Sequence, residues 1–197
     1  LTAAPALILA STSPWRRELL ERLHLPFECI PPGVDEAEIP GEDPVERAER
    51  LSIAKARAVA SSRPDALVIG SDQVAVLDGQ IADKPGTHER ALEQLRRASG
   101  RCLQLHSGLA LVDGRNGQLS ARVITSTVHF RVLSDTLIEA YLRAERPYDC
   151  AGSARIEALG IALVSRVDSE DPSAIIGLPL IALTTLLGQH GLPVLPA

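Results

Sequence analysis

Leu7-Ile8-Leu9-Ala10-Ser11-Thr12-Ser13-Pro14-Trp15-Arg16-Arg17 reads as a strand, a short polar loop and the start of a helix. The apolar run that ends at Ala10 suits a buried strand. Ser13 is a helix-capping residue, and Pro14 suits the first helical position, where no amide donor is needed. Free amides at a helix start, preceded by small hydroxyl residues, make a ready anion site. Arg16 and Arg17 add two cations in the first turn, where the helix dipole already presents positive charge. An anion would relieve that conflict, and a local rule broken in this way marks a functional site. The alternative is that both arginines are solvated or paired with Glu18 or Glu21, and this segment alone does not decide. Neither GxxxxGK[ST] nor GxGxxG is present, so the common nucleotide-binding loops gain no support.

The rest of the chain repeats the strand-then-helix grammar. Apolar runs at 66–70 and 109–112 join 6–10 as buried strands. Periodic segments at 15–24, 44–62, 87–98 and 134–144 predict helices, with 177–187 as a further one. Asp78-Gly79 signals a hairpin. Asp113-Gly114-Arg115-Asn116-Gly117 links two longer strand candidates, 101–112 and 118–133. Hairpins interrupt the alternation, so the expected fold is α/β with a mixed central sheet flanked by helices, not a purely parallel one. No internal repeat, low-complexity tract or linker divides the sequence. Residues 1–197 read as one domain, long enough for two lobes sharing a cleft.

Composition narrows the function. The 197 residues are 45% hydrophobic and carry a net charge of -5, which argues against binding nucleic-acid polymers or membrane surfaces. Phosphates can still be bound if the few cations gather in one place. Cys29, Cys102 and Cys150 are odd in number, far apart and without a CxxC pair, which fits reduced thiols in a cytoplasmic setting. No apolar run approaches membrane-spanning length, and 6–10 is too short for a signal-peptide core.

The remaining chemistry lies in scattered carboxylates and lysines. Asp72, in Ile69-Gly70-Ser71-Asp72-Gln73, is expected just past the end of a strand, where catalytic carboxylates are exposed but rigidly held. A turn-forming Asp is the alternative. Asp35 and Glu36 follow Pro31-Pro32-Gly33 in an extended loop that otherwise reads as a solvated acidic segment. Lys84 precedes Pro85, which favours extended backbone. Lys55 and Lys84 are the only lysines, in a sequence that otherwise uses arginine. A compact ammonium retained against such a bias fits phosphate contacts, although two lysines also survive by chance on a surface.

Together these segments resemble the Maf family of nucleoside-triphosphate pyrophosphatases. Ala10-Ser11-x-Ser13-Pro14-x-Arg16, Asp35-Glu36, Lys55, Ser71-Asp72, Lys84-Pro85 and Gly177-Leu178-Pro179 match it in order over about 7–187. The resemblance implies hydrolysis of a nucleoside triphosphate to the monophosphate and pyrophosphate, with a divalent metal cation (Mg²⁺ or Mn²⁺), in a two-lobed fold around a nucleotide-binding cleft. It implies Asp72 as the catalytic carboxylate, with Glu36 and Asp72 as metal ligands. Ser11, Ser13, Arg16, Lys55 and Lys84 become phosphate contacts. Whether Asp72 serves as general base or as metal ligand stays open, as does a homodimer.

Three departures bear on substrate. Much of the family has Arg at Trp15, Thr at Gln73 and Gln at Glu157, and the residues here are similar to the YceF-like branch associated with 7-methyl-GTP. Within the expected AGSxxxEGxG stretch, Ala158 stands where a Gly is usual. Physical chemistry points the same way. N7-methylation makes guanine a cation, which binds over the face of a Trp. The adjacent N1–H and amine donors of guanine suit one carboxylate. Trp15, Gln73 and Glu157 are therefore the expected specificity residues. Competing readings are a pyrophosphatase for dTTP or UTP, with Trp15 merely packing, and a nucleotide-sensing regulator linked to cell division.

Overall fold

Alternation inside the apolar runs sets the architecture. The computed structural model describes residues 5–195. Among them the order is β1 (Ala6–Ala10), α1 (Pro14–Glu21), β2 (Glu28–Cys29), α2 (Pro44–Ala60), β3 (Ala66–Leu77), β4 (Gln80–Ile81) and α3 (His88–Ala98). There follow β5 (Cys102–Asp113), β6 (Leu119–Phe130), α4 (Asp135–Glu145), β7 (Val164–Asp168) and α5 (Leu180–Gln189). The seven strands form a mixed sheet in the order β2-β1-β3-β5-β6-β7, with β4 paired to β3, and helices flank it. The expected α/β class with a mixed central sheet is borne out.

The chain divides into two units. The first comprises the described residues of Leu1–Gln73, Ser107–Ile124 and Asp171–Ala197; the second comprises Val74–His106 and Thr125–Glu170. In the first, β1 pairs in parallel with β2 and with β3, in register from Ala6↔Ala66 to Ala10↔Gly70. Leu7, Leu9, Leu67, Ile69, Leu109 and Leu111 pack with Leu19 and Leu20 of α1 and with Leu183, Leu186 and Leu187 of α5. Their neighbours Ile8, Ala10, Ala66, Val68, Ala110 and Val112 pack with Ala56, Val59 and Ala60 of α2. Successive strand residues point to opposite faces, so helices on both faces require these strands to be apolar throughout. In the second unit, Asp78 and Gly79, at φ 52° and 74°, form the expected hairpin turn between β3 and β4. There β6 runs antiparallel to β7, and Arg96 of α3 meets Asp135 of α4 through two 2.8 Å bonds.

Boundaries differ from expectation in ways that matter for the site. β3 runs through Ser71-Asp72-Gln73 to Leu77, so Asp72 lies within the strand and not beyond its end. The apolar residues 74–77 resume the strand and are tied back by the pairing of Val76 with Ile81. A polar triplet inside a strand reads locally as a terminus. α1 ends at Glu21, three residues early, because His24 takes a left-handed φ of 55°. α5 starts at Leu180 after Pro179, since Gly177 at φ 116° closes the preceding turn, Pro172–Ile176.

Close approach of α2 to the sheet is allowed by two missing side chains. A Cβ at Gly70 would lie 2.1 Å from the Ser52 carbonyl oxygen and 2.7 Å from the Ala56 nitrogen; one at Gly108 would lie 2.2 Å from the Ala48 oxygen. All three neighbours are helix backbone, which cannot swing aside. Gly70→Ala must push α2 away, and overpacking of this kind costs about 1–3 kcal/mol or more. Urea unfolding is expected to show that loss for Gly70→Ala, whereas Gly188→Ala, in open space on α5, should leave the midpoint nearly unchanged.

Candidate functional site

Strand parity distributes the polar triplet of β3. Asp72 shares its face with Ala66 and Val68 and meets α2, while Ser71 and Gln73 share the other face with Leu67 and Ile69. On the α2 face the Lys55 ammonium donates to Asp72 Oδ1 at 2.6 Å and forms an ion pair with Glu36 Oε1 at 2.8 Å. Lys55 and Asp72 are buried, with side chains 6% and 11% exposed, whereas Glu36 is 55% exposed. Three residues from widely separated segments thus share one charge centre. In this structure Lys55, expected at a phosphate, is held by the two carboxylates expected at a metal.

The Glu36 loop is fastened to α2. Asp35 Oδ1 accepts the Ala37 amide at 3.0 Å, a turn-forming role. Arg47 of α2 donates to Glu38 at 2.9 Å, and Arg50 donates to both oxygens of Glu42 and, at 3.5 Å, to the Ala37 carbonyl. Glu42 is held below the usual carboxylate range by its hydrogen bond from Arg50. Sequence reasoning missed these two arginines. Their signal was the facing sign pattern, Glu38 and Glu42 against Arg47 and Arg50.

On the other face, one carbonyl organises the site. Gly177 accepts from Arg16 Nε at 2.9 Å and shares the single Ser71 hydroxyl proton with the Gly108 carbonyl, each carbonyl 2.8 Å from Oγ. Burial pushes the Arg16 guanidinium below its ordinary value, while the Asp72 and Glu36 charges oppose that shift. It stays charged, since the shift starts from a value far above neutrality. Arg17 follows the plainer expectation and pairs with Glu21 at 3.0 Å on the surface. Gln73 commits its amide nitrogen to Ser107 Oγ and the Ala174 carbonyl, both at 2.9 Å, and to the Ile175 carbonyl at 3.1 Å. Its amide oxygen accepts from no described residue, so what Gln73 can offer a ligand is an acceptor.

The loop after β1 is built as the sequence predicts. Ser13 caps α1 by accepting the Arg16 amide at 3.4 Å, and Ser11 Oγ accepts the Ser13 amide at 3.1 Å. Both hydroxyls spend acceptor capacity on the backbone and keep a donor O–H. Trp15 is half-buried on α1, which packs against the Pro172–Ile176 turn, and it belongs to neither of the two core clusters described above. Ser11, Ser13, Trp15, Arg16, Glu36, Lys55, Asp72 and Gln73 therefore all lie in the first unit. Lys84 and Glu157 lie in the second. Lys84 is exposed, in an irregular stretch before Pro85. Glu157 is exposed between the turns Ala151–Ser153 and Leu159–Leu163. Ala158 has φ -128° and ψ -138°, outside the ordinary helical and extended regions, which suits the glycine usual there, and a Cβ at Gly160 would lie 2.4 Å from the Arg155 carbonyl.

The family model for Maf-like proteins matches residues 6–190. The chain belongs to the Maf family. Full-length relatives within it are similar throughout. A Cupriavidus pinatubonensis protein is 56% identical over 192 residues, covering 98% of this chain and 96% of its own. A Bordetella pertussis protein is 58% identical over 188 residues, covering 95% and 94%. One from Burkholderia thailandensis is 54% identical over 199 residues, covering 100% and 93%. Each of those proteins carries the name 7-methyl-GTP pyrophosphatase.

The two halves of the Lys55 bridge in this Maf protein differ in burial, and so in energy. Removing one partner of a buried ion pair costs about 3–5 kcal/mol, because the other charge is stranded. An exposed pair is worth about 0–1 kcal/mol. Lys55→Met is expected to lower unfolding free energy by the larger amount and Glu36→Gln by the smaller. Adding Asp72→Asn to Lys55→Met should recover part of the loss. A urea-denaturation double-mutant cycle checks this, and additive effects would show that the 2.6 Å contact carries no coupling.

Proposed function

We propose that the chain hydrolyses 7-methyl-GTP to 7-methyl-GMP and pyrophosphate, removing a modified nucleotide from a cytoplasmic pool. The observation that carries the reading is the buried Lys55 centre with Asp72 and Glu36, in whose field the Arg16 guanidinium lies, beside the Ser11–Ser13 loop. The names of the full-length relatives support the substrate. The net charge of -5 supports a small substrate over a nucleic-acid polymer, and among the described residues no helix is long and apolar enough to cross a membrane.

The residues suit that chemistry. Water attacks the α-phosphorus while negative charge grows on the bridging oxygen and the departing pyrophosphate. Arg16, fixed through Nε by the Gly177 carbonyl, keeps its terminal nitrogens for phosphate oxygens. Ser11 and Ser13 keep O–H donors, and Lys55 supplies a compact positive charge. Asp72 orients the water or accepts its proton. Trp15 presents an aromatic face to the cationic base, and the Gln73 oxygen, oriented by three bonds to its nitrogen, accepts from a base donor.

The carboxylates also fit a divalent metal. Glu36 and Asp72 already converge on one positive centre, and hard oxygen donors of this kind would suit Mg²⁺ or Mn²⁺. Such an ion, when bound, supplies charge stabilisation to the phosphate oxygens. Chelation is expected to stop turnover and either ion to restore it. Activity undiminished in excess chelator would remove the metal from the proposal.

Product analysis tests the reaction type: pyrophosphate and the monophosphate should appear first, and initial orthophosphate with a nucleoside diphosphate would overturn it. Asp72→Asn is expected to reduce kcat by roughly 10² or more, measured on the fraction that circular dichroism shows folded, since stranding Lys55 also lowers stability. Specificity is read separately. Trp15→Arg with Gln73→Thr should lower kcat/KM for 7-methyl-GTP and raise it for dTTP or UTP, because a like charge replaces the aromatic face beside a cationic base. Glu157→Gln alone replaces an acceptor with a donor and should cost about ten- to a hundredfold on 7-methyl-GTP. An unchanged ratio between substrate classes would remove these residues from base reading and leave the pyrophosphatase reading standing.

A further inference from the structure

The second unit carries, on its exposed surface, a nucleophile, a base and a carboxylate that the proposed reaction does not use. Cys102 opens β5, His129 lies near the end of β6 and Asp168 closes β7. Cys102 is exposed, and its Sγ lies 3.1 Å from His129 Nδ1; His129 Nε2 in turn lies 2.8 Å from Asp168 Oδ2. Register explains the meeting. Thr127 pairs with Asp168 and His129 with Arg166, so His129 and Asp168 are diagonal neighbours on one face of the β6–β7 ladder.

The neighbours also fix which ring nitrogen holds the proton. Arg166 places a guanidinium nitrogen 2.7 Å from Asp168 Oδ2 and 3.2 Å from His129 Nε2. A carboxylate oxygen 2.8 Å from a ring nitrogen needs a hydrogen between them, since two facing lone pairs would repel. The shorter carboxylate contact decides the placement, and the Arg166 nitrogen, which only donates, then spends its hydrogen on Asp168 and not on the ring. Nε2–H donates to Asp168, Arg166 donates to the same carboxylate, and Nδ1 turns its lone pair to the thiol. Asp168 is held below the usual carboxylate range by the His129 hydrogen bond and by Arg166, so it is ionised and keeps the ring in this orientation. Nucleophile, base and orienting carboxylate in hydrogen-bond series are the arrangement by which a thiol is activated for attack.

We propose that Cys102 is a nucleophilic thiol, with His129 as its base and Asp168 as the positioning carboxylate, and that it forms mixed disulfides with small soluble disulfides. The Cys102 S–H proton passes to His129 Nδ1. The sulfur attacks one sulfur of the disulfide, a new S–S bond forms as the old one breaks, and the departing thiolate takes the proton from His129. One thiol and one disulfide become another thiol and another disulfide, so no outside oxidant is consumed. The site is independent of nucleotide hydrolysis and stands whether or not that reading does.

The chain supplies its own controls. Cys29 and Cys150 are also free thiols but half-buried, and burial pushes both up, Cys150 to about 11. Oxidised glutathione is the first probe, added to the full chain, with acid quenching and peptide mapping by mass spectrometry over time. Cys102 is expected to react at least about tenfold faster than Cys29 or Cys150, and His129→Gln to slow it by about tenfold or more, the low end of what a positioned base contributes. Asp168→Asn should slow it several-fold while circular dichroism stays unchanged. Iodoacetamide is the second probe and needs no variant: Cys102 in the wild-type chain should be alkylated faster at pH 7 than N-acetylcysteine. Equal rates at the three cysteines, a Cys102 rate indifferent to His129→Gln, or alkylation no faster than N-acetylcysteine would each overturn the proposal.

Discussion

The burial of the Lys55 ammonium against Asp72 is the constraint around which the first unit is built. Removing two charges from water costs several kcal/mol per ion, and attraction recovers it only when the contact is short and the remaining polar atoms are satisfied. The 2.6 Å contact is made where α2 lies almost on the backbone of the sheet. Gly70 and Gly108 make that approach feasible, because a methyl group at either would collide with helix backbone. The pair is therefore better understood as fixing geometry than as adding stability. An apolar pair of the same volume would hold the helix as well, but would remove the ammonium that Glu36 meets at 2.8 Å.

Parity along β3 then separates two jobs within three residues. Asp72 faces the charged centre on α2, while Ser71 and Gln73 face the Pro172–Ile176 turn and the Gly177 carbonyl. A helix could not place consecutive residues so cleanly on opposite sides. The arrangement also explains why Gln73 can be specific. Its nitrogen is committed to fixed acceptors, so the amide cannot flip, and its oxygen keeps one identity. Threonine there could not span the same three acceptors, and a change at this position alters the turn as well as any ligand contact.

Sequence exposed most of this frame but not its joints. The loop from Ala10 to Arg17 was legible because Ser13 and Pro14 are residue types with positional meaning. The two apolar faces were legible because helices on both sides leave an unbroken hydrophobic run. The extent of β3 was not, since Ser71-Asp72-Gln73 looks like a strand end until the hairpin at Asp78-Gly79 is seen to pull 74–77 back into the sheet. Arg16 was read as an anion ligand, yet its link to a carbonyl 161 positions away left no trace. Any residue carries a carbonyl, so an acceptor of that kind has no signature. The roles of Arg47 and Arg50 were hidden differently. Their partners lie in a loop whose acidic residues read equally well as solvated.

The charge balance reconciles the sequence expectation for Lys55 with its observed partners. Two cations, Lys55 and Arg16, face two carboxylates, Asp72 and Glu36, so the set is formally neutral as it stands. A triphosphate arriving at a neutral set brings several negative charges into a half-buried place, where unpaired charge is costly. On the proposed reading, Lys55 meets that charge by exchanging carboxylate oxygens for phosphate oxygens. It can do so only if Asp72 and Glu36 gain a cation in its stead. The ammonium meanwhile holds both carboxylates in position and, with Arg16, balances their charge. A lysine suits this better than an arginine. Its charge is a point on a flexible stem that can turn between two sets of oxygens, whereas a guanidinium binds best in one fixed plane.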